Sequence, residues 1–258
     1  MLARLEVVRL APERFVDIGC GLGKGLLALR QRYPQAESVG VDLSPRIAAA
    51  AARLARPPGR GFLARLMPGA RGPAGGWLAA DAGALPLADQ SVALAWSNLV
   101  LHWCADPISV LREWHRVLRD DGLLMFSTFG VDTLRELRAG GVPVMRFHDM
   151  HDIGDLLIAS GFAEPVMDME HITLTYRDAT ALLADVRALG GNAQRGRFRG
   201  LVGRRERNDW LAAIEAARGS DGLLRLTLEL IFGHAWCPAQ KRLPDGLAPI
   251  RFVTRKKA

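Results

Sequence analysis

Nine residues, Phe15 to Gly23 (FVDIGCGLG), constrain this chain more than any other stretch. An apolar strand runs into glycines at 19, 21 and 23, so the backbone can turn sharply and approach a ligand where a Cβ would collide. A nucleotide-like ligand fits such a turn. The dinucleotide version, G-x-G-x-x-G, uses a helix N-terminus to hold a pyrophosphate. Here Asp17 stands two residues before the first glycine, where a carboxylate repels phosphate and suits a cation. S-adenosylmethionine carries a sulfonium and an α-ammonium and no phosphate, so D-x-G-x-G-x-G favours it over a nicotinamide dinucleotide. Cys20 lies inside the turn, where a small packed side chain explains it better than a nucleophile.

Asp42 closes the apolar run Ser38 to Val41, one helix-length stretch (Lys24 to Tyr33) after the glycines. A carboxylate at the end of the second strand reaches both ribose hydroxyls, and Leu43 would flank the adenine. Asp42 also suits a helix N-cap, but Ser44 before Pro45 can cap unaided, which favours the ribose role. Asp81, with Ala82 beside it, follows a third strand and answers equally to an acceptor for the adenine amino group or to an exposed turn residue. Asn98, ending a fourth strand, completes the candidate cofactor contacts.

Strands are expected at 14–18, 38–42, 77–80, 92–97 and 122–129, with helices between them, which predicts a parallel α/β sheet. Pro107 to Leu118 places Ile108, Val110, Leu111, Trp114, Val117 and Leu118 on one apolar side of a helix, and Asp120-Asp121-Gly122 should end it. Residues 56–76, rich in proline, glycine and arginine, break the repeat as a mobile insertion. Beyond residue 150 the order changes to a helix at 150–160, an alternating run from Val166 to Tyr176, helices at 178–189 and 207–217, and a strand-like run at 223–233. The last two strands should pair antiparallel, and the helical insert between them, 177–222, would sit above the C-terminal edge of the sheet and select the substrate.

The formal charge of +7 traces largely to arginines between Arg187 and Arg218, including Arg195, Arg197, Arg199, Arg204, Arg205 and Arg207. Such a patch attracts an acidic macromolecule, although a solvated arginine-rich surface explains it more simply. Only Phe198 and Trp210 interleave there, so a nucleic-acid stacking surface is not supported. Arg255-Lys256-Lys257 reads as a frayed end. Three scattered cysteines, Cys20, Cys104 and Cys237, give no disulfide framework and no zinc spacing. Neither a secretory signal nor a run of about 18 apolar residues is present, so a cytoplasmic protein without a membrane span is expected.

Taken in order, these motifs resemble a class I S-adenosylmethionine-dependent methyltransferase. More narrowly, AWSNLVLHWCADP (95–107) and LREWHRVLRDDGLLMFSTFG (111–130) resemble the malonyl-acyl-carrier-protein O-methyltransferases of biotin synthesis. DTLRELR (132–138), MHDIGDLLIASGF (150–162), HITLTYRDATALLADVRALG (171–190) and GHAW (233–236) extend the likeness over most of the chain. The resemblance implies one domain over 1–258, built on a Rossmann-like seven-stranded sheet that is parallel apart from an antiparallel C-terminal strand. It also implies an acidic carrier protein as partner, with no nucleic acid and no membrane. Fourteen residues precede Phe15, fewer than the family's N-terminal segment that closes over the cofactor, and the connection from Arg138 to Phe147 looks short.

The implied reaction transfers a methyl group to the free carboxylate of a malonyl thioester. That carboxylate is already ionised at neutral pH, so alignment and desolvation replace a general base. Candidates for holding it are Arg135 and Arg138, which also suit a solvated helix face, and His102 and Trp103, which equally suit a packed aromatic pair. A sister group, the arginine hydroxylase that assembles respiratory complex I, shares the LHW and DTLxELR patterns. It would need an oxygen-activating centre, for which only His148-Asp149-Met150-His151-Asp152 offers the residues, and Asp149 or Asp152 is better placed as a helix cap. A cofactor-binding protein without turnover is the third reading.

Overall fold

The computed structural model describes residues 1–55, 75–190 and 203–239. Strands β1 (Arg14–Ile18), β2 (Glu37–Asp42), β3 (Gly75–Ala79), β4 (Val92–Asn98), β5 (Leu118–Phe129), β6 (Ala163–Tyr176) and β7 (Leu224–Trp236) form one sheet in the order β3-β2-β1-β4-β5-β7-β6. The first five are mutually parallel, and β7 runs antiparallel to both β5 and β6. From β1 the chain winds outward through β2 and β3, then crosses back to β4. The strand order therefore reverses between β1 and β4, where open α/β sheets bind ligands beyond the carboxyl ends of their strands.

Helix α1 (Lys24–Arg32) lays Leu26 and Leu29 on the sheet face carrying Phe15, Leu94, Trp96, Leu123 and Met125. On the other face, α3 (Pro107–Val117) and α5 (Met150–Ala159) pack Val110, Leu111, Trp114, Ile153 and Leu157 against Val16, Ile18, Leu124 and Phe126. The starts of these helices follow local chemistry. Ser44 caps α2 (Pro45–Leu54) by accepting from the Ile47 amide at 3.4 Å, and Asp106 caps α3 by accepting from Ser109 at 3.2 Å. Each is followed by proline, whose fixed φ suits the first helical turn.

Several boundaries differ from expectation. Asp120-Asp121-Gly122 does not end α3: the helix stops at Val117 and the chain passes directly into β5, where these residues form an irregularity in the pairing with β4. Asp121, at φ +57°, takes the left-handed turn there, and its amide donates to the Cys237 carbonyl (2.9 Å). Gly75 and Gly76 pair with Ser38 and Val39 as the start of β3. The rest of the expected 56–76 insertion, residues 56–74, lies outside the described residues, as do Arg195, Arg197, Arg199 and the Arg255-Lys256-Lys257 tail.

Only Leu230 to Trp236 of β7 pair with β5; Leu224 to Glu229 pair with β6 alone. This antiparallel stem extends past Phe129, the last residue of β5, and carries α6 (Ala179–Ala188) and α7 (Arg204–Ala216). Leu182, Leu183 and Ile214 of those helices share a core with Phe129, Leu134, Leu137, Leu224 and Leu226. The segment after β5, with its short helix α4 (Arg135–Ala139), is strapped to the stem. The Thr133 hydroxyl donates to the Glu229 carbonyl (3.1 Å), the Glu229 carboxylate accepts from the Asp132 amide (2.6 Å), and Glu136 accepts from the Thr227 amide (2.9 Å) and hydroxyl. Glu136→Ala would strip both acceptors from Thr227, which is 2% exposed. Chemical denaturation should register a loss of about 1–3 kcal/mol, the cost of a buried donor left unpaired, with cofactor affinity retained.

Candidate active site

The turn after β1 is docked on the end of β2: the amides of Gly19 and Cys20 both donate to the Val41 carbonyl (2.7 and 2.9 Å). All three glycines have positive φ, +71°, +52° and +85° for Gly19, Gly21 and Gly23, but they serve different ends. A Cβ on Gly19 would lie 2.1 Å from Val100, and one on Gly23 2.2 Å from the Trp77 ring. One on Gly21 would meet nothing within 4 Å. Gly19 and Gly23 thus answer to packing, whereas Gly21 leaves space. The Cys20 thiol is buried and pushed up to about 12, mainly by that burial, which suits a packed side chain rather than a nucleophile.

Asp17 and Trp96 are register partners across β1 and β4, so their side chains share the α1 face. Asp17 is 2% exposed and accepts from the Leu26 amide in the first turn of α1. Burial, reinforced by the nearby Asp42 carboxylate, raises its pKa to about 7 despite that hydrogen bond. The buried Trp96 indole N–H has no hydrogen-bond partner among the described residues. Asp42 accepts from the Gly21 amide on one oxygen (3.0 Å) and from the Ser44 amide on the other (2.9 Å), tying the glycine turn to the start of α2. One lone pair on each oxygen is left for a further donor.

Two cavities adjoin at Gly19 and Asn98. One, of about 590 Å³, is lined by Asp17, Cys20, Gly21 and Trp96, with Met1 and Leu2 at its side. The other, of about 620 Å³, is lined by Asp42, Leu43, Asp81, Ala82, Val100 and Trp103. Nine of the ten cofactor candidates therefore face one cavity or the other. The exception is Gly23, which is turned onto Trp77. Leu43 is 71% exposed on the cavity wall. Asp81 accepts from the Gly83 amide in a turn (2.8 Å) and also lines the cavity.

Beyond Trp103 lie two smaller cavities. One, of about 290 Å³, is lined by His102, Trp103, Thr128, Arg146, Phe147 and His148; the other, of about 190 Å³, runs under the helical insert between His102, Phe129, Leu183 and Trp210, with Arg187 and Arg207 on its wall. His102 sits among Phe129, Trp103 and Phe147, with ring centroids 4.8, 5.3 and 5.9 Å away, and its Nδ1 lies 3.2 Å from the Thr128 hydroxyl. Burial lowers its pKa to about 4, so the ring is neutral at pH 7.

Arg135 and Arg138 are not brought to these cavities. Arg138 donates to the carbonyls of Val131 and Thr133, and Arg135 pairs with Asp132 at 3.2 Å. Both hold the segment after β5, Arg138 through backbone carbonyls and Arg135 through an exposed ion pair, and neither lines a cavity described above. In the 148–152 cluster, Asp149 caps α5, accepting from the His151 amide (2.8 Å). Among the described residues the one His/Asp/Glu group close enough for a metal is Asp132, His171 and Glu229, where the segment after β5 meets the stem. Sequence reasoning missed Trp96 because it ends an apolar run, Val92 to Trp96, that reads as core, and Thr128 because a strand threonine beside Ser127 carries no local mark of function. It missed Phe147 because nothing local marks a loop residue that packs on a histidine 45 positions away.

The family model described as "Methyltransferase domain" matches residues 16–126, the part that builds the two large cavities. Across 98% of its length the chain is 46% identical to the malonyl-[acyl-carrier protein] O-methyltransferase of Laribacter hongkongensis, covering 86% of that protein. It is 43% identical to that of Methylovorus sp., over 99% of this chain and 86% of the other. A solved structure of a putative methyltransferase from Bacillus halodurans superposes with a TM-score of 0.63 at 15% identity, covering 92% of this chain and 97% of that one, a likeness of fold. Phosphoethanolamine N-methyltransferase 2 of Haemonchus contortus, solved with S-adenosylhomocysteine, gives 0.53 at 18% identity over 92% of this chain and 51% of that one. With identity above 40% along nearly its whole length, the chain belongs to the malonyl-[acyl-carrier protein] O-methyltransferase family.

Proposed function

We propose that this protein methylates the free carboxylate of a malonyl thioester on acyl-carrier protein, using S-adenosylmethionine, as an early step of biotin synthesis in the cytoplasm. The observation that carries the reading is the continuity of the site: two cavities meet at Gly19 and Asn98, and Trp103 joins them to an aromatic cavity beneath the insert. Three features support the cofactor, namely the space left by Gly21, the unpaired indole N–H of Trp96 and the exposed Leu43. Asp42 would hold the ribose, Leu43, Asp81 and Ala82 the adenine, and Asp17, Cys20, Gly19, Gly21 and Asn98 the amino-acid end. When bound, the cofactor supplies an electrophilic methyl group on a positively charged sulfur.

No residue has to remove a proton, because the acceptor carboxylate is ionised at neutral pH. The chain's contribution is therefore positional. Phe129, Phe147 and Trp103 exclude water from the acceptor, which strips its hydration, and His102 and Trp103 orient it. Esterification masks the charge and makes the acyl chain acceptable to chain-elongating enzymes. Arg187, Arg204, Arg205 and Arg207, exposed on the insert, suit the acidic carrier by steering its approach. We assign 1–258 to one catalytic domain, with 177–222 as its acceptor-side insert. Among the described residues no helix is long and apolar enough to cross a membrane.

The test is the intact mass of malonyl-loaded acyl-carrier protein after incubation with this protein and S-adenosylmethionine. A gain of one methyl group is expected, and none with acetyl-loaded carrier, which lacks the carboxylate. Cofactor binding without any transfer would sink the assignment.

A further inference from the structure

We infer that Thr128 fixes His102 as a neutral hydrogen-bond donor to the acceptor carboxylate: the threonine hydroxyl donates to Nδ1, so the ring proton resides on Nε2 and is offered to the substrate. The inference rests on the proposed carboxyl methylation and assigns the residue pair that orients its nucleophile. Thr128 is 2% exposed on β5, and the one hydrogen-bond partner of its hydroxyl among the described residues is His102 Nδ1, at 3.2 Å. If Nδ1 carried the proton, it would donate into the hydroxyl and leave the hydroxyl's own proton without an acceptor among the described residues. With the hydroxyl as donor, both groups are satisfied. Nε2 has no partner among the described residues, and the ring lines both acceptor cavities.

A neutral donor suits this chemistry better than a cation. An arginine fork would bind both carboxylate oxygens tightly and hold electron density away from the incoming methyl group. A single imidazole N–H fixes one oxygen and leaves the other free to attack. His102 keeps that neutral form because three aromatic rings desolvate it. Its neighbour Trp103 lines the cofactor cavity as well, so the donor stands on the passage between cofactor and acceptor. Thr128 acts through His102 and is a positioning residue.

The experiment combines ¹⁵N NMR of the His102 ring with steady-state methylation of malonyl-loaded carrier. Wild type should show the Nε2–H tautomer. Thr128→Val, which keeps the shape and removes the hydroxyl, should give mixed tautomers and lower kcat by up to about 100-fold, the scale of a misplaced reacting group, with cofactor affinity unchanged. Thr128→Ser should restore both signals. His102→Gln, which keeps a neutral N–H, should retain about tenfold more activity than His102→Ala, the worth of one hydrogen bond. An Nδ1–H tautomer in wild type, or full activity in Thr128→Val, overturns the inference. A wild type that leaves malonyl carrier unmethylated overturns it together with the acceptor reading, and the ring tautomer then tells whether Thr128 sets the histidine at all.

Discussion

Asp17→Asn should raise the stability of the cofactor-free protein at pH 8 while weakening its affinity for S-adenosylmethionine. The wild-type carboxyl has a pKa of about 7 in the fold against an ordinary value of 3.8. Between those values the native state holds a proton that the unfolded chain has released. Stability therefore falls as pH rises from about 4 to about 7 and is flat above, the reverse of a salt-bridged aspartate. At pH 8 the buried charge costs on the order of 4 kcal/mol as an upper bound. Asparagine keeps an oxygen to accept from the Leu26 amide and carries no charge, so the gap in melting temperature between variant and wild type should open across that window.

Cofactor binding runs the other way. A cationic ligand binds the ionised carboxyl, so below pH 7 wild type must release a proton to bind. Its affinity should climb about tenfold per pH unit up to pH 7 and level off above it. In Asp17→Asn the affinity should be lower at pH 8 and nearly independent of pH. Thermal melts and titration calorimetry at pH 6 and 8 check both halves. A variant that melts below wild type at pH 8 would mean that Asp17 is structural.

The second large effect separates two glycines of one turn. Gly23→Ala should cost about 2–5 kcal/mol, because the left-handed backbone disfavours a side chain and the new Cβ drives into the Trp77 ring. The same ring packs closely on Gly40, where an added Cβ would lie 2.7 Å from it. Gly21→Ala, at φ +52° with open space ahead, should cost only about 1 kcal/mol of stability. Its methyl group stands in the cavity, so cofactor affinity should fall at least tenfold. Denaturant midpoints and binding isotherms on the same two proteins give the contrast, and equal stability losses would show that both glycines serve packing alone.

The cofactor half was legible in the sequence because its signals are local and ordered. A glycine turn, a strand-end aspartate and a third acidic loop follow one another at βα spacing, and the parallel sheet brings three consecutive loops to one edge. Long-range pairing was not legible. That Gly23 answers to Trp77 depends on β3 lying beside β2 and on Gly40 leaving the slot. That Arg135 and Arg138 contact Asp132 and backbone carbonyls was not legible either, because periodicity shows only that they share a helix face. Asp120-Asp121-Gly122 carries every mark of a helix stop, yet the chain uses it as a bulge within β5, since the strand's pairing with β4 resumes on both sides. Thr128 is one of many threonines in strands until the fold sets it under His102.

The stem of β6 and β7 gives the molecule a natural seam. Everything that would grip the cofactor lies on β1 to β4 and their loops, while the two insert helices hang from the end of a strand pair that runs on past the parallel core. Helices in such a position can lengthen, shorten or be exchanged without moving a single strand of the nucleotide-binding half. The acceptor side of this architecture can therefore be altered separately from the donor side, because the two are carried by different strands.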